Sequence, residues 1–545
     1  MSKIYKSSKA IHKWTSIIIA LLMLYMGVSG ILLNHPELIG PVSVSSTFIP
    51  DNYKVENWNR SSIAELKFSK FNPSISVIGG YEGVYISKDA GKNYNKMPQN
   101  GLPSSQYYNK TKTVYLLENE SGIKGVLAGT FGGLYYYDFS KSIWNKVNLS
   151  EEHHKIVKII DYKDKIAVFS ASGAALIDPN NLNNIQNIKL AKNEQETKLT
   201  LIEFFFQLHT GEIWGLPGKL LFDIAGIILI FLSISGLYIW LSPKTSKLRI
   251  RLSDHASKTK WSIYKFFFKY HLKLGIYSAA VLLIIGVTGF FMRPPGIAAI
   301  MNGDIAVSSI PLVKMDNPWQ ERIRNAMYDK NSDRVIIDAK DGFWISENGI
   351  DATYSRTAPP VPIFAMGATV LEQDTNGDYL IGSFAGLFRV SPESGRSIDA
   401  MTGKAPYNVS LVRPGSNLIT SYFKTPIGEE FVTTHFEGII PVNSPFGMGN
   451  RFQVADGTMN DFSMSLWNYL FEVHNGRIFE FAVGDYYILI APLMSLIFLI
   501  SLITGIFDWI YLKIKKIKMD RYDKKEKELM HKDDSPIESE ELVEA

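Results

Sequence analysis

Four stretches of this 545-residue chain are apolar over about the 20 residues a helix needs to cross a bilayer core, and they form two copies of one pair. Residues 12–33 read HKWTSIIIALLMLYMGVSGILL and residues 271–292 read HLKLGIYSAAVLLIIGVTGFFM. They align without a gap, so that His12 falls on His271, Gly27 on Gly286, Val28 on Val287 and Gly30 on Gly289. The second member of each pair has a related lead: FFFQLHTGEIWG before the run ending SISGLYIW at Trp240, and YLFEVHNGRIFE before the run ending LITGIFDW at Trp509. His209 thereby matches His474. Backbone in lipid must satisfy its own hydrogen bonds, so runs this apolar are expected as helices. The expected fold class is membrane α + β: a four-helix transmembrane bundle from a duplicated two-helix unit, with exported β-repeat, propeller-like domains.

Basic residues set the expected orientation. Lys3, Lys6, Lys9 and Lys13 precede the first span, and the loop between spans two and three carries eight Lys and Arg from Lys244 to Lys269 against Asp254. Lys513, Lys515, Lys516 and Lys518 follow span four. By the positive-inside rule these flanks and both termini are cytoplasmic. The chain then divides into a cytoplasmic N-terminus (1–14), span one (15–34), exported β domain 1 (35–218), span two (219–241) and a cytoplasmic loop (242–271). Span three (272–292), exported β domain 2 (293–485), span four (486–511) and a cytoplasmic tail (512–545) complete it. A basic start before an apolar core is also how a cleaved signal peptide begins. No small-residue cleavage pattern follows SGILLNHP, however, and the internal copy at 271–292 cannot be a signal.

Cysteine is absent, which excludes thiol redox chemistry, iron–sulfur clusters and thiolate metal sites. The net charge of +4 is mostly the inner-face bias, so a nucleic-acid partner is not expected.

The exported segments alternate short β-branched and aromatic runs with glycine turns, which reads as strands. A small element recurs: EGVYIS at 82–87, GGLYYY at 132–137, SGAALI at 172–177, DGFWIS at 341–346, AGLFRV at 385–390 and EGIIPV at 437–442. Spacing of about 40–50 residues is typical of repeated antiparallel units such as propeller blades. Two trios fold either as separate domains or as one six-unit cap, and closure into one cap removes the open edges. ISKDAGKNYNKM at 86–97 fits an Asp-box turn through Ser87, Asp89, Gly91 and Tyr94, a structural motif. EQDTNGDYL at 372–380 has the carboxylates of a calcium loop but lacks its closing glutamate, so a polar β-turn is expected. The tail ends IESEELVEA and is expected to be disordered beyond its first turns.

Ten histidines occur, and those at the span ends carry the functional reading. His12 and His271 lie at the inner ends of spans one and three, while His209, His474 and His35 lie at outer ends. His12 and His35 are separated by roughly 34 Å of helix, the depth of the membrane. Neutral imidazole is a good iron ligand, and a haem held by two histidines needs facing partners at one depth between helices. Interfacial placement is the alternative for any one of them. The glycines of GVSG, GVTG and SISG allow close approach of helices or of a flat macrocycle. Asp223 and Asp508 sit in or near apolar runs, where ionisable groups are functional by default, although near span ends both can reach polar surroundings.

On HKW at 12–14 with SG at 29–30, LHTGEIWG at 208–215, SGLYIW at 235–240 and HLKLG at 271–275, the chain resembles the PepSY-associated transmembrane family across all four spans. That family includes bacterial inner-membrane proteins similar to ferric-siderophore reductases of iron uptake, some carrying b-type haem between their helices. The resemblance implies haem b, two per chain, with His12, His209, His271 and His474 as iron ligands and His35 as a further outer candidate. Two departures stand out: HNGRIFE replaces HTGxxxG in the second copy, and the exported parts read as β repeats more than as the usual PepSY module.

The expected function is therefore a haem-b membrane electron-transfer protein, an oxidoreductase. An inner haem on His12 and His271 passes electrons to an outer haem on His209 with His474 or His35, and on to a periplasmic acceptor such as a ferric siderophore. No GxGxxG or P-loop occurs in a cytoplasmic segment, so electrons are expected from a quinol or a separate reductase. The alternatives are a non-enzymatic membrane-anchored β-repeat binding or sensor protein and a transporter accessory subunit.

Overall fold

The computed structural model describes residues 3–150, 154–194, 197–248, 254–406, 417–443, 451–454 and 464–533. The chain forms two compact units: one made of Met1–Ile31, Leu208–Arg293 and Ile490–Ala545, whose described elements are mostly helices, and a β unit made of Leu32–Gln207 and Pro294–Leu489.

The principal helices are α1 (Lys3–Leu33), α2 (Leu201–Thr210), α3 (Gly215–Leu248), α4 (Asp254–Tyr277), α5 (Ala279–Phe291), α6 (Leu466–His474) and α7 (Ile490–Asp533). Polar side chains in the spans turn inward on their own helix. Ser29, Ser233, Thr288 and Thr504 hydroxyls donate to the carbonyls of Tyr25, Leu229, Ile284 and Ile500, one turn back. Ile19 and Met23 of α1, Ala225 and Leu229 of α3, Leu282 of α5 and Phe498 of α7 share one apolar core. Glycine brings the helices together at equivalent places in the two copies. A Cβ on Gly27 would lie 2.8 Å from Ile230 of α3, and one on Gly286 would lie 2.8 Å from Leu499 of α7.

The apolar run 272–292 is not one helix. α4 ends at Tyr277, α5 begins at Ala279, and the two are bent by 66° at Ser278. Ser278 Oγ donates to the Leu274 carbonyl at 2.7 Å, alongside its own backbone N–H at 3.0 Å. The 13 residues of α5 rise about 20 Å, short of the ~30 Å hydrocarbon core. Among the described residues, three helices are thus long and apolar enough to span a membrane, or four if the bent pair counts as one. Helix α7 runs on to Asp533, so the tail is helical well past its first turns. IESEELVEA lies outside the described residues.

In the β unit each recurring glycine element forms the third strand of one of six antiparallel sheets: Gly83–Ser87, Gly133–Asp138, Gly173–Asp178, Gly342–Ser346, Gly386–Val390 and Gly438–Asn443. The tight turn entering most of these strands needs positive φ, +109° at Gly83 for instance, which is why glycine recurs there. The leading strands touch in sequence: Ile63–Phe68, Thr111–Asn119, Ile156–Tyr162, Ile323–Asp329, Val370–Gln373 and Ile419–Lys424, the last touching the first. Ion pairs join three of them, with the buried Lys158 Nζ 2.8 Å from the buried Glu65 and 3.3 Å from Glu372, and Lys67 Nζ 2.8 Å from Glu372. Burial alone would raise the Glu65 pKa, yet Lys158 and Lys67 hold it down at about 2.

The two halves of the chain exchange edges. Ala191–Lys192 adds in parallel to Thr353–Thr357, and Gln453–Val454 adds in parallel to Asn93–Lys96. Ser43–Val44 pairs with Met464–Ser465, and Lys198–Thr200 with Asp304–Ala306. Both polar motifs of the β unit are turns. Asp89 accepts from the Ser87 hydroxyl and the Lys92 and Asn93 amides, and Asp374 accepts from the Asn376 and Asp378 amides while pairing with Arg389.

Candidate functional site

On α1, His12 points Nδ1 at the Ser501 carbonyl of α7, 2.8 Å away. A carbonyl only accepts, so Nδ1 carries the proton and Nε2 keeps its lone pair. His271, at the equivalent place on α4, has Nδ1 2.8 Å from Ser235 Oγ of α3. Ser235 donates its own proton to the Leu232 carbonyl at 3.2 Å, so it accepts from His271 and fixes the same tautomer. Hydrogen bonding at one ring nitrogen orients the ring and readies the other for a metal.

The two rings face each other edge-on, with centres 6.4 Å apart and planes at 71°. Two metal–imidazole bonds of roughly 2.0–2.1 Å, plus ~1.1 Å from each nitrogen to its ring centre, put such rings about 6.3 Å apart across an iron. The separation of the His12 and His271 rings is therefore close to that of two imidazoles held on one iron. A glycine lies beside each ring, and at Gly505 its lack of a side chain is what leaves room. A Cβ on Gly505 would lie 2.9 Å from His12 Cε1, and one on Gly236 would lie 3.5 Å from His271 Cε1. Among the described residues no three His, Cys, Asp or Glu converge as a metal cluster, so a two-imidazole arrangement is what the helices offer.

His209, near the end of α2, has Nδ1 2.9 Å from Thr288 Oγ1 of α5. Thr288 donates to the Ile284 carbonyl at 2.6 Å, so its Oγ1 is an acceptor towards His209 Nδ1. Gly289 lies beside this ring, its Cβ position 3.4 Å from Cε1. His474 closes α6 within the β unit, and His35 precedes the Pro36–Ile39 turn there with Nδ1 3.1 Å from Glu37. Asp223 and Asp508 are both buried in their spans, and Asp508 Oδ1 has no hydrogen-bond partner among the described residues.

His435, far from any span end and without a role in the sequence pattern above, is only 8% exposed and lines a cavity of the β unit with Arg60 and Arg477. It opens HFEGII at 435–440, the last recurring element, and its position at the head of a glycine turn is the one signal the sequence offers for it.

Membrane-length helices joined to a β unit of six repeated sheets and two short strand pairs define a membrane protein of α + β class. Residues 9–511 match the family described as the PepSY-associated TM region, and the chain belongs to that family. No curated protein matches it. Among solved structures, it is similar to the extracellular domain of a hybrid two-component system from B. thetaiotaomicron, at 10% identity and a TM-score of 0.34, covering 72% of this chain and 34% of that one. An ancestral GH74 enzyme is similar at 11% identity and a TM-score of 0.32, covering 73% of this chain and 46% of that one. The chain thus spans between a third and a half of the length of these proteins.

Proposed function

We propose that the protein is a haem-b electron-transfer protein of the bacterial inner membrane, with both termini cytoplasmic and the β unit periplasmic, which reduces a periplasmic acceptor such as a ferric chelate. The observation that carries this reading is the His12–His271 pair, 6.4 Å between ring centres with both Nδ1 atoms tied and both Nε2 atoms available. Bound haem would supply a reversible one-electron iron couple. The chain's own part is to hold iron through His12 and His271, to fix their tautomers through Ser501 and Ser235, and to surround them with the apolar interhelical core. A second haem would use His209, and electrons would enter from a quinol or a separate reductase. The order of contacts among the six leading strands further supports a six-bladed propeller for the β unit, and the shared apolar core supports a four-helix bundle for the spans.

The test is the absorption spectrum of detergent-purified protein, oxidised and dithionite-reduced, with haem content by pyridine extraction. A sharp reduced α band is expected, with loss of haem in His12→Ala and His271→Ala at unchanged yield and melting temperature. A colourless wild type from haem-supplied cells, or full haem content in both variants, rejects the assignment.

A further inference from the structure

The β unit contains a cavity of about 320 Å³, at the small end of ligand-binding sites and too small for a peptide or polymer. Its charges do not balance. Arg477 has Glu472 at 3.5 Å, and Glu82 has Lys96 at 3.6 Å, so each of these pairs cancels. Arg60 has no carboxylate in ion-pair range among the described residues. Its guanidinium lies over the rings of Tyr53 and Phe436, at 5.4 and 5.7 Å, and its hydrogen-bonding side chain among the described residues is His435. Lys110 has no carboxylate in range among them either, and its Nζ lies over the Tyr81 and Phe131 rings at 5.2 Å. Burial and then Lys112 and Lys155 push its pKa down to about 7.

His435 does not offset these cations. Its Nε2 accepts from Arg477 at 2.7 Å and from Arg60 at 3.4 Å, which leaves it neutral with Nδ1 facing Ser61 Oγ at 3.2 Å. Arg60, with no carboxylate in ion-pair range among the described residues, is costly in a partly desolvated cavity, and an anion brought in from outside removes that cost and also favours the charged form of Lys110, which burial and its lysine neighbours disfavour. The walls are fixed aromatic surfaces. Trp467 stacks on Phe471 at 5.4 Å with its indole N–H donating to the Leu33 carbonyl, and the Trp58 N–H donates to the Phe452 carbonyl. Rings held in this way offer flat contact area at little entropic cost.

We propose that this cavity binds a small aromatic carboxylate, with Arg60 and Lys110 as its counter-ions and the Trp467 and Tyr81 rings as its walls. The site is independent of the histidine pair of the helices. It shares helix α6, which supplies Trp467, Phe471 and Glu472 and ends at His474.

Calorimetric titration of the full chain in detergent tests it, with 1-naphthoate as the probe and 1-naphthylmethanol and inorganic phosphate as comparisons. Naphthoate is expected to bind at least tenfold more tightly than either comparison. Arg60→Gln and Lys110→Gln are each expected to weaken it about tenfold, while Lys141→Gln at the exposed surface leaves it unchanged. Naphthoate no tighter than the alcohol, phosphate as tight as naphthoate, or no naphthoate binding at all overturns the proposal. The comparison of the three probes on the wild type stands even where a variant fails to fold. Unchanged affinity in both glutamine variants, with melting temperatures equal to wild type, also overturns it.

Discussion

Gly505 and Gly236 occupy corresponding places beside the two facing imidazoles, yet they tolerate different things. A methyl group on Gly505 meets His12 Cε1 at 2.9 Å and Nδ1 at 3.2 Å, and the ring cannot swing away without losing the Ser501 carbonyl. On Gly236 the nearest ring atom is at 3.5 Å, ordinary contact. Gly505→Ala is therefore expected to lower haem occupancy and broaden the reduced α band, while Gly236→Ala leaves both as in wild type. Equal spectra for the two variants would show that neither ring is confined by its glycine. The imidazoles themselves were legible because duplication prints them twice at the same offset. Ser235 and Ser501 were not, since a hydroxyl on one helix and a backbone carbonyl on another carry no mark of which ring they will meet. His435 escaped for the same reason, its partner Arg60 lying 375 residues away.

Among the elements, hydropathy located all four apolar runs because length and composition decide membrane insertion. It was silent on the bend at Ser278. The corresponding stretch of α1 is continuous through Leu33, and one local difference is Gly275, in the turn before the break, where α1 has Ser16. The six glycine-led strands were legible from the turn each must make. The short exchanged strands were not, because two-residue parallel pairs such as Ala191–Lys192 have no sequence period. Helix α2 shows how such elements are tied in. Its Glu203 is buried against Arg322, itself fully buried, at 3.2 Å, and Arg322 also meets Asp341 at 3.2 Å. Lys192, on one of the exchanged strands, closes the group onto Asp341 at 3.0 Å. No apolar pattern announces a group assembled from residues 192, 203, 322 and 341.

At the scale of the whole chain, the exchange of strands makes the two halves interdependent. Each half leaves sheet edges that only the other completes, at Thr353–Thr357 and at Asn93–Lys96. A protease site placed at 249–253 is therefore expected to yield two fragments that co-elute in detergent after cleavage and separate only on denaturation. Fragments that part under native conditions would contradict the exchange. Acidity should act on this unit through two buried groups of opposite sense. Burial, then Arg477 and Arg60, push His435 from its ordinary 6.5 down to about 3. Burial pushes Asp338 from 3.8 up to about 6, against Arg324 and the Ala368 amide, which donates to it at 2.7 Å. Between pH 6.5 and 3 the unfolded chain takes up a proton at His435 that the folded chain refuses, so folded stability falls as the pH falls. Between pH 3.8 and 6 the folded chain keeps a proton on Asp338 that the unfolded chain has lost, so that contribution falls as the pH rises. Moving from pH 7 to pH 5 is thus expected to lower the melting temperature less in His435→Gln than in wild type, and more in Asp338→Asn. Melting curves that shift equally in all three proteins would mean that neither group titrates differently on folding.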